Sequence, residues 1–327
     1  MTPRVKSGTL SPSIQRIRTG VGDRISVSAC RRDGPGRGEP GDDMPSDHAR
    51  EVAAGDRFDF GRNWRSFLDR LDEERIREAT RSLEELLGPD PLREKRFVDF
   101  GSGSGLFSLA AMRLGAGEVC SFDYHPASVA CAKELKRRYF PEDARWRILK
   151  GSVLDEAFLR SVGRFDVAYS WGVLHHTGDM WKALGNVRSL VGRGGLLAIA
   201  IYNDRGNSSR RWRRIKKLYC RTPRRLRAAL FFPIPPYYEL KWTAADLVHG
   251  KIPFASWRRQ SARGMSPWHD GIDWIGGYPF EVARPEEILD FYGEHGFRLE
   301  KLVSCQDGWA NNEFVFRATD AGERRGG

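Results

Sequence analysis

Cysteine and methionine are scarce in this 327-residue sequence, with five of each, and Cys30, Cys120, Cys131, Cys220 and Cys305 stand far apart with no C-x-x-C pair. That spacing argues against a disulfide framework and a structural zinc site, and no histidine lies at metal-ligand spacing to the cysteines, so no resident metal is expected. A reducing, cytoplasmic setting is the corresponding expectation. Long apolar runs are also missing: none approaches the ~20 residues of a membrane-spanning helix, and the N-terminus carries charge throughout, which argues against secretion and transmembrane anchoring. Acidic residues are missing from one stretch. From Arg205 to Arg227 there are eleven basic residues and no Asp or Glu, and these eleven equal the formal net charge of +11, so the remainder sums to zero.

What is present divides the chain unevenly. A hydrophobic content of 40% is enough to build a core. Residues 1–55 are rich in Gly, Pro, Ser, Arg and Asp without periodicity and are expected to be a disordered extension, with Met44 opening a more ordinary N-terminus. Folded structure is expected from about residue 56, beginning with FDFGRNW. Phe67, Leu68, Leu71, Ile76, Leu83, Leu86 and Leu87 supply the apolar face of one or two helices that end at Gly88-Pro89.

The most informative stretch is FVDFGSGSG, residues 97–105. Phe97, Val98 and Phe100 read as a buried strand that ends on three alternating glycines, and LFSLAAMRL follows with helical periodicity. Glycine allows a backbone to approach a ligand closely, and the start of the helix presents unpaired N–H groups. Glu118 to Phe122 is a second strand, with Asp123 directly after it, where a carboxylate can accept both hydroxyl protons of a ribose. These features describe a nucleoside-binding half of a doubly wound sheet. A G-x-G-x-x-G dinucleotide turn would need glycine at 106, where Leu106 stands; the pattern is instead Asp99-x-Gly101-x-Gly103-x-Gly105.

Here the sequence resembles the class I S-adenosylmethionine (SAM)-dependent methyltransferases, and the resemblance continues through KGSVLDEAF, FDVAYSWGVLHHTGDM and VGRGGLLAIAIYN. It implies a Rossmann-like α/β fold with a seven-stranded sheet over residues 56–327, interrupted by an inserted helical and loop lid at about 205–282. It also implies that Asp99, Gly101, Ser102, Gly103 and Gly105 hold the methionine end of SAM, and that Asp123 and Tyr124 hold the ribose. Asp155, with Ser152 and Val153 before it, would face the adenine, or Asp155 would simply cap a helix. Ser170 and Trp171, at the end of the fourth strand, and Asn63 and Trp64, in a helical N-terminal segment that folds over the pocket, are further cofactor candidates. Asn63 and Trp64 could equally form part of an aromatic staple onto the sheet.

Ligands of open α/β sheets lie beyond the carboxyl ends of the strands, which puts Trp171 to Thr177 beside the reacting groups. His176 is the first candidate for a base, with His175 beside it, and His269 and Asp270 in the lid are the second choice. The fifth strand is expected over Leu196 to Tyr202, entered through a turn at Gly192-Arg193-Gly194-Gly195, and Tyr202 and Asn203 off its end are candidate orienters of the acceptor. The stretch is similar to quinone O-methyltransferases, several of which carry an acid where His175 stands, so a divalent-ion mechanism is not carried over. The expected activity is methyl transfer from SAM to oxygen, nitrogen or carbon of a small molecule such as a quinone-like or natural-product acceptor. The alternatives are an RNA or protein methyltransferase that docks through its basic lid, and a non-catalytic nucleoside-binding protein. The basic run could meet an anionic membrane surface or RNA, or be a solvated helix face; within it Trp212, Ile215, Leu218 and Tyr219 recur at helical spacing.

Overall fold

The computed structural model describes residues 47–59, 68, 71–223, 225–227, 275–305 and 310–319. The central strand is β1 (Arg96–Phe100), in which Phe97, Val98 and Phe100 are fully buried. Burial on both faces explains why β1 reads as a continuous apolar run rather than an alternating one. It pairs in parallel with β2 (Glu118–Asp123) on one side and β4 (Phe165–Trp171) on the other. With β3 (Trp146–Lys150), β5 (Val191–Tyr202), β6 (Phe297–Val303) and β7 (Asn311–Ala318), these form a seven-stranded sheet in the order β3-β2-β1-β4-β5-β7-β6. β7 runs antiparallel to both β5 and β6, and the other pairings are parallel.

Helices cover both faces. α2 (Glu73–Leu87), α3 (Leu106–Arg113) and α4 (Pro126–Tyr139) bury Leu83, Leu109 and Leu135 in one core layer. α5 (Glu156–Val162), α6 (Met180–Val187) and α8 (Pro285–Glu294) bury Leu159, Leu184 and Tyr292 in the other. The N-terminus of α2 is fixed by Asp72, whose side chain accepts from Arg75 N at 2.9 Å, and Ile76, Ala79, Leu83 and Leu86 form its inner stripe.

Two boundaries differ from the sequence reading. β5 starts at Val191, five residues before Leu196, and takes in the glycine-rich segment expected to be a turn. A Cβ at Gly192 or Gly195 would lie 3.1 or 2.9 Å from the carbonyl oxygen of Phe165 or Asp166, so these glycines let the strand run tightly along β4 through a shift in register. The second difference is α1 (Asp47–Ala53), a helix inside the segment read as a disordered extension. His48 on this helix is buried against Tyr124 and His125, with ring centroids 5.6 and 4.0 Å away.

In the insertion, α7 (Asn207–Arg221) buries Trp212, Lys216, Tyr219 and Cys220 against Phe58, Ile275 and Phe280. The sequence stripe is thus displaced: Lys216 is fully buried, and Leu218, expected on the apolar face, is 58% exposed.

Candidate active site

The turn after β1 is built by its glycines. Gly101, Gly103 and Gly105 have φ of 72°, 53° and 83°, the left-handed region that side chains disfavour. Gly101 N and Ser102 N both donate to Phe122 O, which straps the turn to the end of β2. Asp123 completes the strap: its Oδ2 accepts from Gly103 N at 2.9 Å and its Oδ1 from His125 N at 2.7 Å. Burial pushes the Asp123 carboxyl up, and these backbone bonds oppose that shift. Each carboxylate oxygen has lone pairs left over, so the group that holds the turn can also accept from a diol.

The polar atoms around the turn suit a ligand with a nucleoside and a zwitterionic amino-acid end. Ser102 Oγ is buried with no hydrogen-bond partner among the described residues, and Asp99, 3% exposed, lies at the foot of the turn. Burial, and the Asp123 charge to a lesser degree, push Asp99 up to about 7, while the hydrogen bond from Ser108 pulls the other way. A third glycine, Gly105, is required for packing: its Cβ would meet Ala132 at 2.9 Å and the Trp146 ring at 3.6 Å.

Other cofactor candidates have structural partners. Ser170 Oγ donates to Phe100 O at 2.9 Å, and Trp171 Nε1 donates to Glu313 Oε1 at 3.0 Å. Asp155 is exposed and caps α5, accepting from Phe158 N at 3.0 Å, which is the capping alternative of the sequence reading. Ser152 Oγ accepts from Leu154 N, and Val153 O accepts from Asn186 Nδ2. Tyr124 lies under the Arg57 guanidinium, 5.3 Å from its ring centroid. Asn63, Trp64, His269 and Asp270 lie outside the described residues.

Beyond the end of β4, His175 and His176 form a short helical turn, Leu174–His176. His175 is fully buried; its Nδ1 accepts from Tyr202 N at 3.3 Å, and its Nε2 has no partner among the described residues. Burial holds it well below the ordinary histidine range. His176 Nδ1 lies 2.6 Å from Pro279 O; a carbonyl only accepts, so Nδ1 carries the proton and Nε2 is the accepting nitrogen. Burial pushes His176 down to about 3. Tyr202 lies 4.0 Å from His175 and 5.5 Å from His176, ring to ring. Asn203 is turned to the neighbouring strand, its Oδ1 accepting from Asn312 Nδ2 at 3.1 Å.

Three residues of this region were not singled out from sequence. Arg57 donates to His176 O at 2.9 Å and Thr177 O at 3.2 Å while stacking over Tyr124, so it joins the ends of β2 and β4. Asp59 accepts from His125 Nε2 at 2.9 Å, because His125 Nδ1 is occupied by Ala127 N. The Lys216 Nζ lies 4.8 Å from the Phe280 ring centroid, and burial pushes it down to about 7. The glycine turn and the histidine turn also touch directly: a Cβ on Gly101 would lie 2.3 Å from Val173 Cγ1.

A family described as a methyltransferase domain matches residues 71–256, more than half of the chain. The ubiquinone biosynthesis O-methyltransferase of Methylobacterium sp. (strain 4-46) is 31% identical over 118 residues, which are 36% of this chain and 45% of that protein. The ribosomal protein L11 methyltransferase of Alteromonas mediterranea is 47% identical over 49 residues, 15% of this chain and 17% of its own. The chain spans about half the length, or less, of these curated relatives. Among solved structures, an O-methyltransferase family protein from Burkholderia thailandensis aligns with a TM-score of 0.46 and 12% identity, over 75% of this chain and 57% of that one.

Proposed function

The chain belongs to the methyltransferase domain family of class I SAM-dependent enzymes, and from that premise we propose that it methylates a small, apolar, hydroxyl-bearing acceptor. The observation that carries this reading is the contact between the two turns: the strapped glycine turn and the His175–His176 turn abut through Gly101 and Val173, so donor and acceptor groups would meet at one place. Bound SAM supplies an electrophilic methyl group on a sulfonium sulfur. Asp123 would accept from the ribose diol, Ser102 and the Gly103 turn would face the carboxylate of the amino-acid end, and Asp99 would face its ammonium. Alignment of nucleophile and methyl carbon supplies a large share of the rate in such a transfer, which leaves the chain chiefly a positioning task.

His176 Nε2 is the acceptor for the hydroxyl proton. Its weak basicity, about 3, is compatible with that role because a hydroxyl becomes strongly acidic only as its oxygen gains the methyl group. Tyr202 and Phe280, 5.4 Å apart, form an aromatic wall beside it, which suits an aromatic or quinone-like ring.

The outer face of α7 supports the same class of acceptor. Arg210, Arg211, Arg213, Arg214 and Lys217 are exposed around Leu218, an arrangement that suits the interface of an anionic bilayer, from which an apolar acceptor would be drawn.

The test is formation of S-adenosylhomocysteine (SAH) from SAM by the full chain, with a panel of catechols, phenols and hydroquinones against a panel of amines. Turnover of hydroxyl acceptors, falling roughly 10²- to 10⁴-fold in His176→Ala with SAH affinity kept, is expected. Turnover confined to amines, or a His176→Ala variant as fast as the parent, would overturn the assignment.

A further inference from the structure

Beneath the glycine turn a line of buried polar groups crosses four elements. Trp146 Nε1 on β3 donates to Ser121 Oγ on β2 at 2.7 Å, Ser121 Oγ donates to Ser108 Oγ on α3 at 2.7 Å, and Ser108 Oγ donates to Asp99 Oδ2 on β1 at 2.6 Å. Ser108 and Ser121 are fully buried, Trp146 is 1% exposed and Asp99 is 3% exposed. An indole N–H only donates and an ionised carboxylate only accepts, so the two hydroxyl protons between them have a single arrangement, both pointing toward Asp99. Replacing either serine with alanine would leave a buried donor unpaired, Trp146 Nε1–H in the case of Ser121 and the Ser121 hydroxyl in the case of Ser108, so the line is kept or lost as a unit. It ends on Asp99, the acid at the foot of the glycine turn.

We propose that Ser108, Ser121 and Trp146 are positioning residues that hold the Asp99 carboxylate ionised and oriented toward the ammonium group of the bound donor, and so set the pH range over which SAM and SAH bind. This rests on the reading of Asp99 as the partner of the donor's amino-acid end.

The groups that face Asp99 leave it as the one that changes charge near neutrality. From β2 these are Asp123 and Cys120, and from β4 Tyr169. Cys120 is pushed up to about 11 and Tyr169 well above its ordinary value by burial, so both stay neutral; α3 presents the Ser108 hydroxyl. Burial and the Asp123 charge raise Asp99, and the Ser108 bond, strengthened by the two donors behind it, lowers it. Removing any member weakens that opposition and moves the transition to higher pH.

The experiment is calorimetric titration of the full chain with SAH from pH 5.5 to 8.5, in two buffers of different ionisation heat. In the parent, affinity should fall toward tenfold per pH unit below about pH 7, with close to one proton released on binding. Ser108→Ala should move the inflection up by about one pH unit, and Ser121→Ala and Trp146→Phe by less in the same direction, with affinities converging on the parent's at pH 8.5. Asp99→Asn should bind weakly with no inflection. Variants that weaken binding by one factor at every pH would show a merely structural role and overturn the proposal, as would an unmoved inflection. A parent that binds SAH with no pH dependence would overturn the relay alone; a parent that binds no SAH at pH 8.5 would overturn the donor reading beneath it.

Discussion

Asp123 has to satisfy two backbone N–H groups, from Gly103 and His125, before it can meet any ligand. Asp123→Ala would therefore orphan two donors as well as lose a ligand contact, and would mix stability with binding. Asp123→Asn keeps an accepting oxygen and the shape of the turn. Its SAH affinity should drop by roughly 1.5 to 3 kcal/mol, the range for a hydrogen bond to a charged group, with the melting temperature less affected than in Asp123→Ala. Calorimetry and thermal melts on the two variants check this; equal SAH affinity in Asp123→Asn and the parent would remove the ribose role. The glycine turn and the acid at the end of β2 were legible from sequence because each is a local pattern, fixed by backbone sterics and by place at a strand end. Lys216 was not legible in the same way. It stands in a run of eleven basic residues, and only the spacing of Trp212, Lys216, Tyr219 and Cys220 on one helix face indicates that this lysine turns inward.

Among the elements, α1 was the one missed. A seven-residue helix flanked by Gly- and Pro-rich chain carries too weak a periodic signal, and among its described side chains the buried one is His48, which packs on rings brought together only by tertiary structure. Removal of residues 1–46 should leave melting temperature and SAH affinity unchanged. Removal of residues 1–59 should lower both, because Arg57, Phe58 and Asp59 contact the His176 turn, the 275–280 segment and His125. Equal melts for the two truncations would mean that these contacts contribute nothing. β1 and β2 were legible as apolar runs, whereas β5 began five residues early because bare glycine carries no sign that it will hug a neighbouring strand. For α7, each Lys or Arg near an anionic bilayer contributes about 1 kcal/mol, so its exposed face should bind vesicles measurably at low salt. The chain should co-sediment with phosphatidylglycerol vesicles and not with phosphatidylcholine, and lose this when Arg210, Arg211, Arg213 and Arg214 become Gln. Salt-sensitive tRNA binding without vesicle binding would replace the bilayer with RNA.

At the scale of the whole molecule, acid should unfold the chain early. His48 is pushed down to about 4, His176 to about 3 and His175 well below its ordinary range, all chiefly by burial. A histidine with a lowered folded value contributes stability that is complete above about pH 6.5, its unfolded value, and is lost as pH falls through 6.5 toward 4 and 3. Asp99, Asp123 and Glu281 act the other way, since a raised carboxyl gains stability as pH falls, and they offset part of what the three histidines lose. The urea midpoint should therefore decline between pH 6.5 and 5, and a midpoint that rises over this interval would contradict the buried, neutral histidines. The contact of Gly101 with Val173 has another consequence, for the descent of this sequence rather than its chemistry. A side chain at 101 is admissible only if 173 shrinks to make room, and even then it carries the left-handed backbone cost of about 1 to 2 kcal/mol. A larger residue can enter at 101 only after 173 has shrunk, so in related sequences a side chain at the first position, seventy-two residues before the second, should be accompanied by a smaller one there.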